Sequence, residues 1–227
     1  RHIEYDFPKL IRESVDGDRI YQTPNGKRYP SVTTILADHN KAGLDKWRAR
    51  IGEKEAALIT KRAAIRGTSV HAAIEKLLRN EDTSKLNLMP HSKVLYVHLK
   101  KELIEHVSEV HAIETPLFSH ELRLAGTTDC IYTYDNVLSV IDFKTSLKPK
   151  KKEWVKGYFM QGVAYSHMFE EMTGKAIKQI VVLIGVDNQE FCQTFKLSKA
   201  EYGPYMDNLI SFRDKYEERI KGTLWAT

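Results

Sequence analysis

Two aspartates and a lysine on neighbouring predicted strands are the residues whose types and spacing best suit chemistry. Asp135-Asn136 fits a two-residue hairpin turn between two strand-like segments. A hairpin closed at this turn places Asp129 directly opposite Asp142, with their Cβ atoms about 5 Å apart. Lys144 lies two residues beyond Asp142 and therefore points to the same face of the sheet.

Like charges that face each other destabilise a hairpin, so this pair of aspartates calls for a compensating group. A divalent cation is one such group, since oxygen ligands suit Mg²⁺ and Mn²⁺, which also bind phosphate. Lys144 can then orient a water molecule and stabilise charge that develops on a phosphate. The alternative is a salt-bridged surface hairpin in which Lys144 only neutralises the acids. The apolar neighbours Val140, Ile141 and Phe143 favour the functional interpretation, because charges are costly among apolar residues.

The hydrophobic pattern predicts the elements that must position these groups. Helical patterns run from Leu44 to Leu78, with a break near Gly67, and from about His91 to Val110. Strands are expected over 111–118, 121–124, 127–134, 137–145, 177–186 and 191–197, and further helices over 153–172 and 199–221. The opening as far as Asn40 is turn-rich, and Ser31 or Thr33 can cap a short helix. This order predicts a mixed α/β core with an N-terminal helical addition.

Four motifs along the chain together resemble a known family. They are a Gly-x-x-Asp strand, an Asp-x-Lys strand, a Gln-x-x-x-Tyr helix and an upstream helical histidine, at 126–129, 142–144, 161–165 and 67–71. In their types and order they resemble the RecB-like branch of the PD-(D/E)XK nuclease superfamily. The Pro-Ser-Val-Thr opening at 30–33 and the stretch 140–149 further resemble the mitochondrial genome maintenance exonuclease family and its phage relatives.

The resemblance implies a fold and a set of roles. The fold is a restriction-endonuclease-like core, in which helices flank a central mixed sheet. Catalytic roles are implied for Asp129, Asp142, Lys144, Glu114 and Gln161, with Lys144 as the catalytic lysine and Glu114 in a supporting position. The implied metal ligands are His71, Asp129, Asp142 and the main-chain carbonyl of Phe143. Gln161 and Tyr165, four residues apart on one helix face, would orient the site or touch the substrate.

Two of these residues also have a second interpretation. His71 lies on a helical stripe with Val70 and Ile74, where a lone histidine is usually a core residue. Tyr165 lies on an aromatic helix face and fits a packing role, whereas Gln161 is the more unusual residue on such a face. The remaining histidines have no metal-ligand spacing, so a zinc site is not expected.

Basic residues follow the Asp-x-Lys strand directly, where a phosphate backbone must enter or leave the site. Their functional interpretation is contact with phosphates regardless of base sequence, and the alternative is an ordinary solvated loop. Trp47, among basic residues of the first helical stretch, is either a candidate for stacking on a single strand or a core residue. The expected DNA-binding residues are Arg66, Thr145, Ser146, Lys148, Lys150, Lys151, Lys152, Tyr165 and Trp47.

Composition excludes several classes of protein. Hydrophobic residues make up 42% of the 227 and charged residues 29%, which argues against wholesale disorder. The longest apolar run, 180–186, is far shorter than the roughly 20 residues of a membrane span, so no membrane partner is expected. The net charge of +5 is mild. Two cysteines, Cys130 and Cys192, are too few for a disulfide framework or for the iron–sulfur cluster of some RecB-like nucleases.

These observations predict one nuclease domain over 1–227, with an extension of arch or channel helices over 1–60 and a catalytic core over 61–227. The family resemblance implies an exonuclease that uses Mg²⁺ or Mn²⁺ to hydrolyse DNA, preferentially single-stranded, from an end. Replication, recombination or repair is the expected setting, with proteins of those processes as further partners. An intracellular location is expected, with bacterial or phage-infected cytoplasm favoured over the mitochondrial matrix.

Two other functions fit the same fold. A structure-specific endonuclease would cut circular strands, which have no ends. A nucleic-acid-binding module that has lost catalysis is less favoured, because a dead site need not keep Asp129, Asp142 and Lys144. A metal-dependent phosphatase has no motif here to support it.

Overall fold

A small β-sheet and three long helices precede the main sheet of the molecule. The computed structural model describes residues 1–222. The first elements are β1 (Ile11–Val15), β2 (Asp18–Gln22), β3 (Arg28–Pro30), α1 (Val32–Ile51), α2 (Glu53–Leu78) and α3 (Pro90–His106). They are followed by β4 (Val107–Ser119), β5 (Leu124–Tyr134), β6 (Val137–Ser146), α4 (Lys156–Thr173), β7 (Gln179–Val186), β8 (Gln193–Ser198) and α5 (Tyr202–Ile220). Among residues 1–222, no helix is both long enough and apolar enough to cross a membrane.

The main sheet is five-stranded and mixed, with its strands in the order β4-β5-β6-β7-β8. Only β6 and β7 run parallel, and α4 forms the crossover between them. The β5–β6 hairpin has the predicted register, since Tyr134 pairs with Val137 around the Asp135-Asn136 turn. Both turn residues have positive φ values, 49° and 63°, as a type I′ turn requires.

Helices cover both faces of the sheet, which explains the apolar run in β7. Ile180 and Val182 pack in one hydrophobic cluster with residues of α4 and α5. Val181 and Leu183, which point the other way, pack in a second cluster with residues of α2 and α3. A strand buried on both faces is apolar at every position rather than at alternate ones. The predicted mixed α/β class, with a central sheet flanked by helices, is confirmed.

The N-terminal sheet was missed by the sequence pattern, which indicated only turns before Asn40. Residues 11–30 form the antiparallel sheet β1-β2-β3. Asp16 and Gly17, with φ values of 53° and 88°, reverse the chain between β1 and β2. Strands this short give too little periodic signal to detect. Ser31, one of the two expected caps, is the N-cap of α1. Its side-chain Oγ accepts the Thr34 N–H at 3.0 Å.

Several expected element boundaries are wrong, beginning with α1, which starts at Val32 rather than at Leu44. The break in the helical pattern lies at Gly52, whose φ is 89°, and Gly67 lies inside α2. β4 begins at Val107, within the segment expected to be helical. Residues 121–123 form a turn rather than a strand, because the Ser119 hydroxyl accepts the Leu122 N–H at 2.9 Å. Residue 60, where the extension and the core were expected to meet, lies inside α2, and the division into these two parts stays a prediction.

Candidate active site

The two aspartates of the β5–β6 hairpin lie where its regular ladder ends. The paired register stops at Cys130 and Ile141, one residue short of Asp129 and Asp142. Beyond that point the Asp129 carboxylate reaches β6, where its Oδ2 accepts the main-chain N–H of Phe143 at 2.9 Å. Both aspartates are therefore at the same end of the hairpin, and Asp129 is fixed there by a main-chain hydrogen bond.

His71 and Glu114 lie against Asp129. His71 projects from α2 and places its Nδ1 3.7 Å from Asp129 Oδ1, while its Nε2–H donates to the Phe143 carbonyl at 2.7 Å. One ligand atom each from His71, Glu114 and Asp129 lie within 4.8 Å of one another. The fold thus brings a helix and two strands together at one cluster of potential metal ligands.

Glu114 has two unusual properties. Its φ of 44° places the backbone in the left-handed region, which is rarely populated by residues other than glycine. Burial, followed by the neighbouring Asp129 carboxylate, raises the pKa of Glu114 to about 7. A strained backbone and a shifted carboxyl pKa are both typical of functional sites.

The buried Asp142 and the partly exposed Lys144 form an ion pair next to this cluster. Asp142 is 3% exposed, and its Oδ1 accepts a hydrogen bond from Lys144 Nζ at 2.6 Å. Burial raises the pKa of Asp142, although the Lys144 ammonium opposes the shift. Burial lowers the pKa of Lys144, but the Asp142 and Asp129 carboxylates outweigh it and raise the value overall. Lys144 Nζ also lies 5.0 Å from the centre of the Tyr158 ring, within cation–π range.

The donor set fits a hard divalent cation. Carboxylate and carbonyl oxygens are the ligands that Mg²⁺ and Mn²⁺ prefer. Asp142 Oδ2 is buried and has no hydrogen-bond partner among residues 1–222, a costly state for a carboxylate unless a further group satisfies it. Asp142 lies outside the cluster of His71, Glu114 and Asp129. The next residue, Phe143, connects Asp142 to that cluster, because its main chain is hydrogen-bonded to both His71 and Asp129.

Gln161 and Tyr165 lie on one face of α4. Both side chains are buried, and Gln161 Nε2 donates to the Tyr165 hydroxyl at 3.3 Å. The Tyr165 ring lies against Gly126, so close that a Cβ on this glycine would be 2.8 Å from the hydroxyl oxygen. This contact shows the packing role of Tyr165.

A cavity of about 770 Å³ lies over the cluster. Of the predicted residues, those that line it are His71, Glu114, Asp129, Gln161 and Tyr165. Sequence reasoning missed another set of lining residues, from the N-terminal sheet and the start of α1, namely Arg12, Arg19, Ser31 and Thr33. The Asp16-Gly17 turn between two short segments was the available signal for the strands that carry the two arginines.

The remaining candidate DNA-binding residues fall into two groups. Arg66 is buried near β6, and its Nε donates to Thr145 Oγ1 at 3.4 Å. The Ser146 hydroxyl is buried and donates to the Lys148 carbonyl at 2.7 Å. The other group lies further out, with Lys148, Lys151 and Lys152 exposed, and Lys150 and Trp47 half-buried. Among the described residues that line the cavity, none belongs to either group.

Comparison with known proteins gives matches in sequence and in structure, although no protein-family model matches the chain. Over 129 residues, 53% of this chain, it is 31% identical to mitochondrial genome maintenance exonuclease 1 of Homo sapiens. The Xenopus tropicalis protein of the same name is also 31% identical over 129 residues. The matched stretch spans only 38% and 37% of the length of these two relatives.

A solved structure named “Putative exonuclease”, from Eubacterium rectale, has a TM-score of 0.45 at 11% identity. That likeness covers 66% of this chain and 68% of the other.

Proposed function

We propose that the chain is a metal-dependent DNA exonuclease of the PD-(D/E)XK superfamily, a proposal supported by its sequence similarity to the mitochondrial genome maintenance exonucleases. The observation that carries the proposal is the arrangement around Phe143. Its N–H donates to Asp129 and its carbonyl accepts from His71, and its neighbours in sequence, Asp142 and Lys144, form an ion pair. The relatives are named exonucleases, which supports hydrolysis of DNA from an end.

The proposed ligands of the ion are His71, Asp129, Asp142 and the main-chain carbonyl of Phe143. When bound, Mg²⁺ or Mn²⁺ activates water and withdraws charge from the scissile phosphate. The buried, unpartnered Oδ2 of Asp142 supports this set. Glu114, within 4.8 Å of His71 and Asp129 ligand atoms, adds a third carboxylate in a supporting role.

Lys144 has the central role among the protein's own side chains. Its pKa is raised by the Asp142 and Asp129 carboxylates, so it is protonated at neutral pH. A fixed positive charge beside the scissile phosphate stabilises the negative charge that develops in the transition state. Gln161 lines the cavity and offers an amide that can orient the substrate.

Single-stranded DNA is the proposed substrate. The end of α1 and the start of α2 are largely exposed, and they carry basic residues that include Lys41, Lys46, Arg50 and Lys54. A basic, exposed pair of helices suits contacts with the phosphates of a strand irrespective of its base sequence. The exposed lysines after β6 extend this basic character, and Arg66, Thr145, Ser146 and Trp47 remain predicted strand contacts.

The proposed setting is DNA replication, recombination or repair, with proteins of those processes as partners. The relatives are named for mitochondrial genome maintenance, which supports DNA as the substrate. A bacterial or phage origin and a mitochondrial one are both compatible with this role, and an intracellular location remains the prediction.

Two substitutions test the assignment of the site. Asp142→Asn and Lys144→Ala are each expected to lower metal-dependent cleavage of single-stranded DNA by more than about 10²-fold, because each removes a charge that acts in the transition state. The rates are measured with Mg²⁺, with Mn²⁺ and with EDTA.

Lys215→Ala is the matched control, since it removes an exposed charge from α5 and should leave the rate unchanged. Thermal unfolding of each variant establishes that it is folded. Full activity of Lys144→Ala would overturn the assignment, and undiminished activity in EDTA would overturn the metal dependence.

A further inference from the structure

We propose that the N-terminal sheet carries a phosphate-binding subsite, formed by Arg12 and Arg19, on the wall of the active-site cavity. The ligand is the phosphodiester backbone of the nucleic-acid strand that is being cleaved, so the inference rests on the proposed function. Both arginines line the same cavity as His71, Glu114 and Asp129.

The strand register places the two arginines on one face of the β1–β2 hairpin. Arg12 pairs with Tyr21, and Arg19 pairs with Ser14, two residues further along β1. The two arginines are therefore diagonal neighbours, with Cα atoms about 7–8 Å apart. This separation suits contact with neighbouring phosphates of an extended strand.

Tyr21 shows which way this face points. It lies on the same face as Arg12 and Arg19, and its hydroxyl is hydrogen-bonded to Thr127 Oγ1 at 2.9 Å. Thr127 belongs to the Gly-x-x-Asp segment of β5 that ends in Asp129. The face that carries the arginines is thus turned toward the catalytic strand.

The hairpin is also fixed to the core at a second point. The Ser31 N–H donates to the Arg19 carbonyl at 2.8 Å, and Ser31 forms an isolated β-bridge with Ala125. The backbone of Arg19 is therefore connected to β5 through one residue. A subsite on this hairpin is held at a defined position relative to the catalytic strand.

Neither guanidinium group is used by the protein itself. Within residues 1–222, the side chains of Arg12 and Arg19 are exposed and have no ion pair or hydrogen bond. Arg28 on β3 differs, because its guanidinium is paired with Glu13 at 2.6 Å. Two free arginines on a cavity that also contains carboxylates are suited to bind the anion that those carboxylates would otherwise repel.

The test is binding of a single-stranded oligonucleotide in EDTA, so that no cleavage occurs, over a series of salt concentrations. R12A/R19A should bind about tenfold more weakly than the unmodified protein, and the slope of log affinity against log salt should fall by roughly 1.4, about 0.7 for each lost phosphate contact. R12K/R19K keeps both charges and should retain most of the salt slope. K9A/K215A removes two exposed charges outside the cavity lining and should bind like the unmodified protein.

Equal affinity and equal salt slope for R12A/R19A and the unmodified protein would overturn the subsite. Equal weakening by K9A/K215A would also overturn it, since the effect would then be one of net charge. Cleavage by the unmodified protein with Mg²⁺ is measured in parallel. If it cleaves while R12A/R19A binds normally, only the subsite fails; if it neither binds nor cleaves, the proposed function fails and the subsite with it.

Discussion

At Gly126, the lack of a side chain lets the Tyr165 ring lie against β5. A Cβ on this residue would be 2.7 Å from Tyr165 Cε1 and 2.8 Å from the hydroxyl oxygen, closer than real Cβ atoms come. The tyrosine is buried and hydrogen-bonded to Gln161, so its ring has little freedom to withdraw. The glycine of the Gly-x-x-Asp segment therefore has a steric cause here.

Gly126→Ala is expected to lower the free energy of unfolding by about 1–3 kcal/mol, the usual cost of overpacking. Gly157→Ala is the control, because a Cβ on this α4 residue meets nothing within 4 Å, and it should be neutral or stabilising by up to about 1 kcal/mol. Urea denaturation of both variants measures the difference. A Gly126→Ala protein as stable as Gly157→Ala would contradict the packing account.

At this scale, the sequence was informative where a motif has a fixed spacing. Asp129, Asp142 and Lys144 lie together because a short hairpin transmits register reliably, whereas His71 was expected beside them only from the family resemblance. The left-handed φ of Glu114 and the burial that raises its pKa depend on tertiary contacts and were not predictable. Arg12 and Arg19 were missed because they lie outside the four motifs that the sequence analysis identified.

Among the elements, the N-terminal segment before β1 is held against β4 by a histidine. The Tyr5 hydroxyl is hydrogen-bonded to His111 Nδ1 at 2.8 Å, and Tyr5 also packs edge-on against Phe169 of α4. Burial lowers the pKa of His111, with Glu109 acting to raise it and Lys175 to lower it. Neutral His111 is thus the form that the fold favours.

Because the folded pKa of His111 is depressed, the unfolded chain binds this proton more tightly. The stability that neutral His111 contributes is fully present above about pH 6.5. It is lost as the pH falls from there through the folded pKa, and the free energy of unfolding then changes by less than about 1.4 kcal/mol per pH unit. His111→Asn should flatten this part of the pH dependence, measured by urea unfolding between about pH 7.5 and about pH 5.5 in EDTA. Exposed His91→Asn is the control, and an equal flattening by both variants would contradict the account.

The order of elements was predictable because most helices and strands have a clear period. The sheet β1-β2-β3 was not, since its strands have three to five residues and bury only part of their surface. The break at Gly52 was misplaced at Gly67 because a glycine in sequence does not reveal its φ, and of these two glycines only Gly52 has a positive φ. Gly67 instead lies in α2 facing Thr145, where a Cβ would still be 3.9 Å from the hydroxyl.

On the scale of the whole molecule, the cavity is lined by charges of both signs, and further basic surface lies outside it. Carboxylates of Glu75, Glu114 and Asp129 line it, together with Arg12 and Arg19 of the N-terminal sheet. The exposed lysines after β6 and the basic surface of α1 and α2 lie outside this lining. Such an arrangement fits a phosphate backbone that is held by basic groups on its way to a metal-binding centre.

The most direct test of the central claim is digestion of end-labelled linear and of circular single-stranded DNA, each with Mg²⁺, with Mn²⁺ and with EDTA. The account predicts that linear strands are degraded only when metal is present and that circles remain intact, with the position of the label reporting the polarity. Lys144→Ala should leave both substrates whole. Cleavage of circles would identify an endonuclease of the same fold, and metal-supplemented protein that binds both substrates but cleaves neither would contradict the catalytic account.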